Sequence, residues 1–320
     1  MIHPNSEIQE FDITIIGSTG NLSITKILPA LLKRYVDGQI PENSRIFCLA
    51  RQKLNDSEFI NLLKKNTPKN IAGSSSLVKK FLSKIKYHCI DITNPNKENL
   101  LSFQNCLNDD NKIRLFYFAT APELFGSSAN FIKSNNFVNK NTRIIVEKPI
   151  GNDLPSAIKI NTILNKYFKE AQIYRIDHYL GKETVQNLMA MRFANQIFET
   201  HWNNNSISNI QITVSEEIGI DGRETYYDSY GAIKDMVQNH ILQLVCLVAM
   251  EPPSKLDADL VRNEKLKILQ SMQNIERLED FSIGQYGSEI KINGALINSY
   301  LEDSKNYLST TESFAAFKIH

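Results

Sequence analysis

Short apolar runs and amphipathic stretches alternate along the first half of the chain. FDITIIG (11–17), RIFCLAR (45–51), KYHCIDI, IRLFYFAT, TRIIVEKP and QIYRID are rich in Ile, Phe, Tyr and Val, which predicts six strands. Segments with helical spacing separate most of them. In SITKILPALLKRY, Ile24, Ile27, Leu28, Leu31, Leu32 and Tyr35 recur at helical intervals, and Pro29 predicts a kink or an early break. SEFINLLKK and SLVKKFLSKI read as further helices. Such alternation requires crossover connections, and therefore a mostly parallel sheet with helices on both faces. The expected fold is α/β, with a doubly wound parallel sheet in a first domain, residues 1–177.

The pattern changes after that point. ISNIQITVSEEIGI is a long strand-like run, KDMVQNHILQLVCLVAM (234–250) a long buried helix and NEKLKILQSM another helix. SYLED and TESFAAFKIH read as strands. Residues 178–320 are thus expected to form an α+β domain, with no internal repeat or low-complexity linker before it.

Composition narrows the function. Apolar residues make up 42% and charged residues 22%, the balance of a folded globular chain. The formal charge of +1 argues against a nucleic-acid footprint or a polybasic membrane surface. MIHPNSEIQEF lacks the basic-then-apolar pattern of a signal peptide. The run ILQLVCLVAM is about half the ~20 residues a membrane span needs. Cys48, Cys89, Cys106 and Cys246 form no CxxC pair and lie in apolar stretches, as reduced cysteines of a cytoplasmic protein do.

Four motifs fall at the carboxyl ends of predicted strands. GSTGN follows the first. Gly17, Gly20 and Ser23 form a glycine-rich strand-to-helix turn that lets a backbone approach a pyrophosphate at a helix N-terminus; the alternative is a tight turn needing glycine for conformation. Arg51 ends the second strand, where NAD sites carry an acidic residue. A guanidinium there suits the extra 2′-phosphate of NADP, or is a surface Arg. VEKPIG puts Glu147, Lys148 and Pro149 after the fifth strand. RIDHYLGKE, after the sixth, gathers Arg175, Asp177, His178, Tyr179, Lys182 and Glu183. It is either a solvated corner or a site for an anion and a proton transfer. Ligands of open α/β sheets bind at that edge, so the convergence of the four motifs favours a site.

The helix from 234 adds His240, on a stripe with Met236, Asn239 and Gln243 beside an apolar stripe of Val237, Ile241, Leu244 and Val248. From pattern alone it is a structural histidine or a base. Glu216 and Glu217 are suggestive only. No metal is expected, because His3, His88, His178, His201, His240 and His320 show no ligating spacing and the cysteines are scattered. A nucleophile elbow is absent.

At this point the motifs resemble a known family. RIDHYLGKE closely resembles the signature of the glucose-6-phosphate dehydrogenases. EKPIG and DMVQNHILQ resemble its second and third motifs, and VAMEPP, GQY (284–286) and TESF (311–314) follow in order. The resemblance runs from about Phe11 to Phe317. It implies a Rossmann-like domain followed by an α+β domain with a large, mostly antiparallel sheet, in a cytoplasmic homo-oligomer. It implies NADP-dependent oxidation of glucose 6-phosphate at C1 to the 6-phosphogluconolactone, the first step of the oxidative pentose phosphate pathway. His240 would be the general base and Asp177 the partner of its imidazole. His178, Tyr179 and Lys182 would bind the sugar phosphate, Lys148 both sugar and coenzyme, and Glu216 and Asp235 the sugar hydroxyls. Gly17, Ser18, Thr19, Gly20, Asn21, Leu22 and Arg51 would hold NADP.

The chain departs from the family in two places. The glycine turn of the family typically reads G-x-x-G-D-L-A with basic residues after it. Here Asn21 and Ser23 replace Asp and Ala, Ile24 and Thr25 stand where basic residues are usual, and Lys26 keeps its charge. Family members are also longer. The resemblance implies that more of the second sheet, another Lys near the substrate and most of the subunit interface lie beyond residue 320, so the second domain is expected to close poorly. Two other readings are a remnant that binds nucleotide without turnover and an NADP-dependent dehydrogenase of another sugar. The complete RIDHYLGKE speaks against the latter.

Overall fold

The strands FDITII, RIFCLA and IRLFYF are buried on both faces, and this puts them at the centre of one sheet of six strands. The structure, a computed structural model, describes residues 8–66, 76–107, 111–216, 219–220, 222–287, 291–292, 295–296 and 298–320. The chain divides into two compact units, Met1–Ile176 and Asp177–His320. In the first, β1 (Phe11–Ile16), β2 (Arg45–Ala50), β3 (Ile85–Cys89), β4 (Ile113–Phe118), β5 (Thr142–Val146) and β6 (Ile173–Arg175) pair in parallel in the order β3-β2-β1-β4-β5-β6. The order reverses between β1 and β4, as a doubly wound sheet requires.

Strand β2 shows how the sequence dictates the layers. Side chains alternate along a strand. Ile46, Cys48 and Ala50 join one cluster, with Phe59 and Phe81 from the helices Asp56–Asn66 and Ser76–Ser83. Phe47 and Leu49 join the opposite cluster, with Phe103, Phe131 and Leu164 from the helices Lys97–Cys106, Phe125–Ser134 and Leu154–Tyr167. Asp12, buried in β1, is paired by its register neighbour Arg45, whose Nε donates at 2.9 Å. The break expected at Pro29 falls just ahead of it. A π-helical turn, Ser23–Ile27, precedes an α-helix, Leu28–Val36. Pro29 therefore sits in a first turn, where its missing N–H costs little.

The second unit is mainly helical. Val185, Leu247 and Met250 form a small core with Leu188, Leu244, Val261 and Ile268. The buried Arg192 donates to the carbonyls of Leu247 (2.6 Å) and Met250 (2.9 Å), satisfying acceptors at the end of the helix Leu242–Ala249. The long helix expected over 234–250 is two: a π-helix, Ile233–Ile241, runs into that α-helix. The antiparallel part consists, among the described residues, of two ladders. β7 (Phe281–Gly284) pairs with β10 (Phe314–Phe317), and β8 (Lys291–Ile292) with β9 (Ala295–Leu296).

Two strand expectations are corrected. The described residues of ISNIQITVSEEIGI form no strand. Alternation supplies a strand-like surface, but a ladder needs a neighbour, and among the described residues none pairs with this run. SYLED is a helix, Tyr300–Ser304. Ser299 Oγ accepts the Glu302 N–H and Glu302 Oε2 accepts the Ser299 N–H at 2.7 Å, a capping box that outweighs the apolar look of Tyr300 and Leu301. Among the described residues, no helix is long and apolar enough to cross a membrane.

Phe103 has no exposed surface and touches Phe47, His88 and Phe137 with ring centroids 5.2 to 5.7 Å apart. Phe103→Ala should lower stability by about 3–5 kcal/mol in a urea titration followed by circular dichroism. A change under about 1 kcal/mol would show that this face is not close-packed.

Candidate active site

The second unit begins with a carboxylate held at a turn. Asp177 is the N-cap of a short 3-10 helix, His178–Gly181, and its Oδ1 accepts the Tyr179 N–H at 2.9 Å. The same oxygen lies 2.5 Å from His240 Nδ1. His240 is fully buried on the π-helix. Tyr179 stacks on its ring at 4.2 Å and 13°, and His178 meets it edge-on at 4.5 Å. An ionised carboxylate only accepts hydrogen bonds, so Nδ1 carries a proton, and the neutral form of the ring is the tautomer with its lone pair on Nε2. No protein atom partners Nε2 or Asp177 Oδ2, both buried.

Asp235 lies on the same π-helix as His240. Hydrogen bonds from i to i+5 wind this helix wider, so the two residues diverge less about its axis than the roughly 140° that five positions span in an α-helix. Asp235 is 4% exposed and accepts from the Tyr226 hydroxyl at 3.1 Å. Burial, reinforced by Asp235, pushes the Tyr226 phenol well above its usual range. Lys182 Nζ sits 3.5 Å from the centre of the Tyr179 ring, a cation held over an aromatic face. Exposed His178 and Lys182 thus flank the buried dyad.

Asp177 is the electrostatic anchor. Burial raises its pKa, but hydrogen bonds from His240 and the Tyr179 N–H, with the charges of His240 and His178, outweigh burial and hold the carboxyl below its ordinary value. Two neighbours were not legible in the sequence. Lys265, on the helix Ala258–Ser271, donates to Gln243 Oε1 at 3.0 Å. Burial lowers its pKa, while the charges of Cys246 and Asp177 oppose that shift. Tyr226 comes from the helix Glu224–Ala232. Neither carries a local motif, since each reaches the site from a different helix. Gln243 faces Lys265 and Glu216 stands exposed on the unpaired stretch, while Glu217 and His3 lie outside the described residues.

In the first unit the remaining candidates stand at carboxyl strand ends. Gly17, φ +88°, follows β1, and a Cβ there would meet the Ala119 carbonyl oxygen at 2.5 Å. The turn thus packs its backbone against the end of β4 at the point where strand order reverses, and only glycine fits. The Gly17 carbonyl accepts the Gly20 N–H and Ser23 Oγ, both at 3.0 Å. Ser18 Oγ and, after β4, Thr120 Oγ1 are buried without a protein partner, which fits a crevice built for a polar ligand. Thr19, Asn21 and Leu22 carry the turn into the helix, with Asn21 and Leu22 exposed. Arg51 is exposed just beyond β2. After β5, Glu147 Oε1 accepts the Tyr117 hydroxyl at 2.5 Å, and half-buried Lys148 follows with a cis bond to Pro149. Asp177, His178, Tyr179, Lys182 and His240 are brought together in one unit, and Asp235, on the same π-helix as His240, accepts from Tyr226. The glycine turn, Arg51 and Lys148 belong to the sheet edge of the other.

These features define a two-unit α/β protein with a dinucleotide-type sheet and a carboxylate-oriented histidine. The family model of the glucose-6-phosphate dehydrogenase NAD binding domain matches residues 14–187, and that of the C-terminal domain residues 189–320. The chain belongs to the glucose-6-phosphate dehydrogenase family. It is 41% identical over 318 residues to the glucose-6-phosphate 1-dehydrogenase of Rhizobium meliloti, covering 97% of this chain and 64% of that protein. It is 42% identical over 318 residues to the enzyme of Bacillus subtilis, covering 96% and 64%. A solved structure of a glucose-6-phosphate dehydrogenase in complex with its substrate glucose 6-phosphate superposes with a TM-score of 0.87 at 35% identity, covering 98% of this chain and 66% of that one. The chain thus spans just under two thirds of the length of these relatives.

The lowered pKa of Asp177 fixes the sign of a pH effect. A group whose pKa is depressed on folding stabilises the fold above its unfolded pKa, about 3.9, and that contribution is lost as pH falls through the folded value. Asp177→Asn should therefore make the stability curve shallower below about pH 4 in urea titrations across pH. Some slope should remain, because Asp91 and Asp228 are also held low, chiefly by hydrogen bonds from Thr93 and Ser309. An unchanged acid limb would contradict the assigned ionisation.

Proposed function

We propose that the chain oxidises D-glucose 6-phosphate at C1 to 6-phospho-D-glucono-1,5-lactone, with NADP as the hydride acceptor. The observation that carries this reading is the buried His240, its Nδ1 on Asp177 and its Nε2 unpartnered. That is the arrangement of a general base. The carboxylate selects the tautomer and stabilises the imidazolium formed when Nε2 takes the C1 hydroxyl proton. As the O–H electrons form the C1=O bond, the C1 hydrogen leaves with its electron pair. Bound NADP supplies the acceptor for that hydride.

The other residues bind and orient. His178, Tyr179 and Lys182 hold the 6-phosphate, for which a cation and a hydroxyl within one turn are suitable donors. Asp235 and Glu216 accept from sugar hydroxyls, and Lys148 reaches sugar and coenzyme. The first domain, residues 1–177, is the coenzyme half. Gly17, Ser18, Thr19, Gly20, Asn21 and Leu22 line the pyrophosphate, supported by the Gly17 approach to β4, and Arg51 takes the 2′-phosphate. Residues 178–320 are the substrate and association half, in a homo-oligomer. Four free thiols fit a cytoplasmic location.

The test is NADPH formation by the purified chain with glucose 6-phosphate, glucose and buffer alone. Turnover should require the 6-phosphate, and His240→Asn should lower kcat at least about 10³-fold. Turnover of free glucose at a comparable rate, or activity surviving in the variant, would refute the reading. Arg51→Ala should weaken NADP binding about tenfold or more and leave NAD binding unchanged, measured by titration calorimetry. Equal losses for both coenzymes would remove Arg51 from the 2′-phosphate.

A further inference from the structure

We infer that Glu312 is a positioning residue for His240 and Asp235, acting through the N-terminus of the π-helix that carries both. The inference rests on the dehydrogenase reading for its kinetic consequence, and on geometry for its basis. Gly231, φ 67° and ψ 177°, breaks the helical path just before the π-helix. The Glu312 carboxylate occupies the place where a Cβ of residue 231 would stand. It accepts the Ile233 N–H at 2.9 Å, and the Glu312 carbonyl accepts the Ala232 N–H at 2.9 Å. The first N–H groups of a helix have no partner within it, and a negative charge there complements the helix dipole.

Glu312 is itself fixed from both sides. Thr311 Oγ1 donates to the Asp228 carbonyl at 2.7 Å, the Ser313 N–H donates to the Gly284 carbonyl at 2.8 Å, and Ser313 Oγ accepts the Tyr286 N–H at 3.0 Å. The strap just before β10 therefore sets where the π-helix starts. Asp235 lies two residues beyond Ile233 and His240 seven, so a slip or rotation at the start moves both side chains. A nine-residue π-helix is an unusual register. Reversion to α-helical turns would change the angle between Asp235 and His240 about the helix axis. The glycine at 231 and the glutamate at 312, 81 positions apart, are thus one device.

The test compares Glu312→Ala, Glu312→Gln and Gly231→Ala in the whole chain with two readouts. One is kcat and KM with glucose 6-phosphate and NADP. The other is the downfield proton resonance of the His240 Nδ1–H on Asp177, identified by its loss in His240→Asn. Glu312→Ala and Gly231→Ala should lower kcat about 10- to 100-fold with the KM for NADP within about twofold, and should shift or broaden that resonance. Glu312→Gln keeps an acceptor oxygen and should restore the resonance and most of kcat. Should Glu312→Ala not fold, the contrast between Glu312→Gln and Gly231→Ala decides the matter. Variants that melt earlier but keep the parental kcat and resonance would give Glu312 a merely structural role and overturn the inference. An inactive parent would sink the dehydrogenase reading, and the resonance alone would then decide the role of Glu312.

Discussion

A fully buried imidazole needs a partner for each nitrogen or a reason to leave one open. His240 meets the first half of that demand with Asp177 at 2.5 Å and leaves Nε2 unpartnered. Leaving such an atom unsatisfied costs about 1–3 kcal/mol. The surroundings hold the ring in place despite that cost. Tyr179 stacks on one face, His178 closes an edge, and the backbone of Tyr179 ties down the carboxylate. Asp177 can do this because it caps a turn whose geometry needs a side-chain acceptor at that position. Local backbone chemistry and site chemistry are served by one oxygen.

Much of the architecture was legible because burial on two faces leaves a strong mark. β2 reads as an unbroken apolar run, and its two faces feed two separate cores. The six strands follow from their apolar runs and the parallel, doubly wound sheet from their alternation with helices, while the strand order came from the structure. The second unit was less legible. ISNIQITVSEEIGI has the surface of a strand, but pairing is a property of two segments and one segment cannot reveal it. SYLED carried a readable S-x-x-E capping box, but two apolar residues drew the reading toward a strand. The π-register of Ile233–Ile241 left no mark, because its apolar residues fit α-helical spacing equally well.

The candidate site divides along the same line. The contiguous RIDHYLGKE was visible because four of its candidate residues stand within one turn and the next helix start. His240 was visible only as a polar position on an apolar helix, and its pairing with Asp177, 63 residues away, came from the resemblance to the family. Lys265, Tyr226 and Glu312 were invisible. Glu312 and Lys265 reach their partners across 79 and 22 positions, Tyr226 meets Asp235 nine positions away, and each has an ordinary local context.

The central claim is that Nε2 of His240 is the atom aimed at the sugar. A crystal structure of the chain with glucose 6-phosphate and no coenzyme tests it most directly. The account predicts the C1 hydroxyl within hydrogen-bond distance of Nε2, about 2.6–3.2 Å, with Asp177 still on Nδ1 and the phosphate on His178, Tyr179 and Lys182. A sugar bound with its phosphate at Nε2, or away from the 177–182 turn, would contradict it.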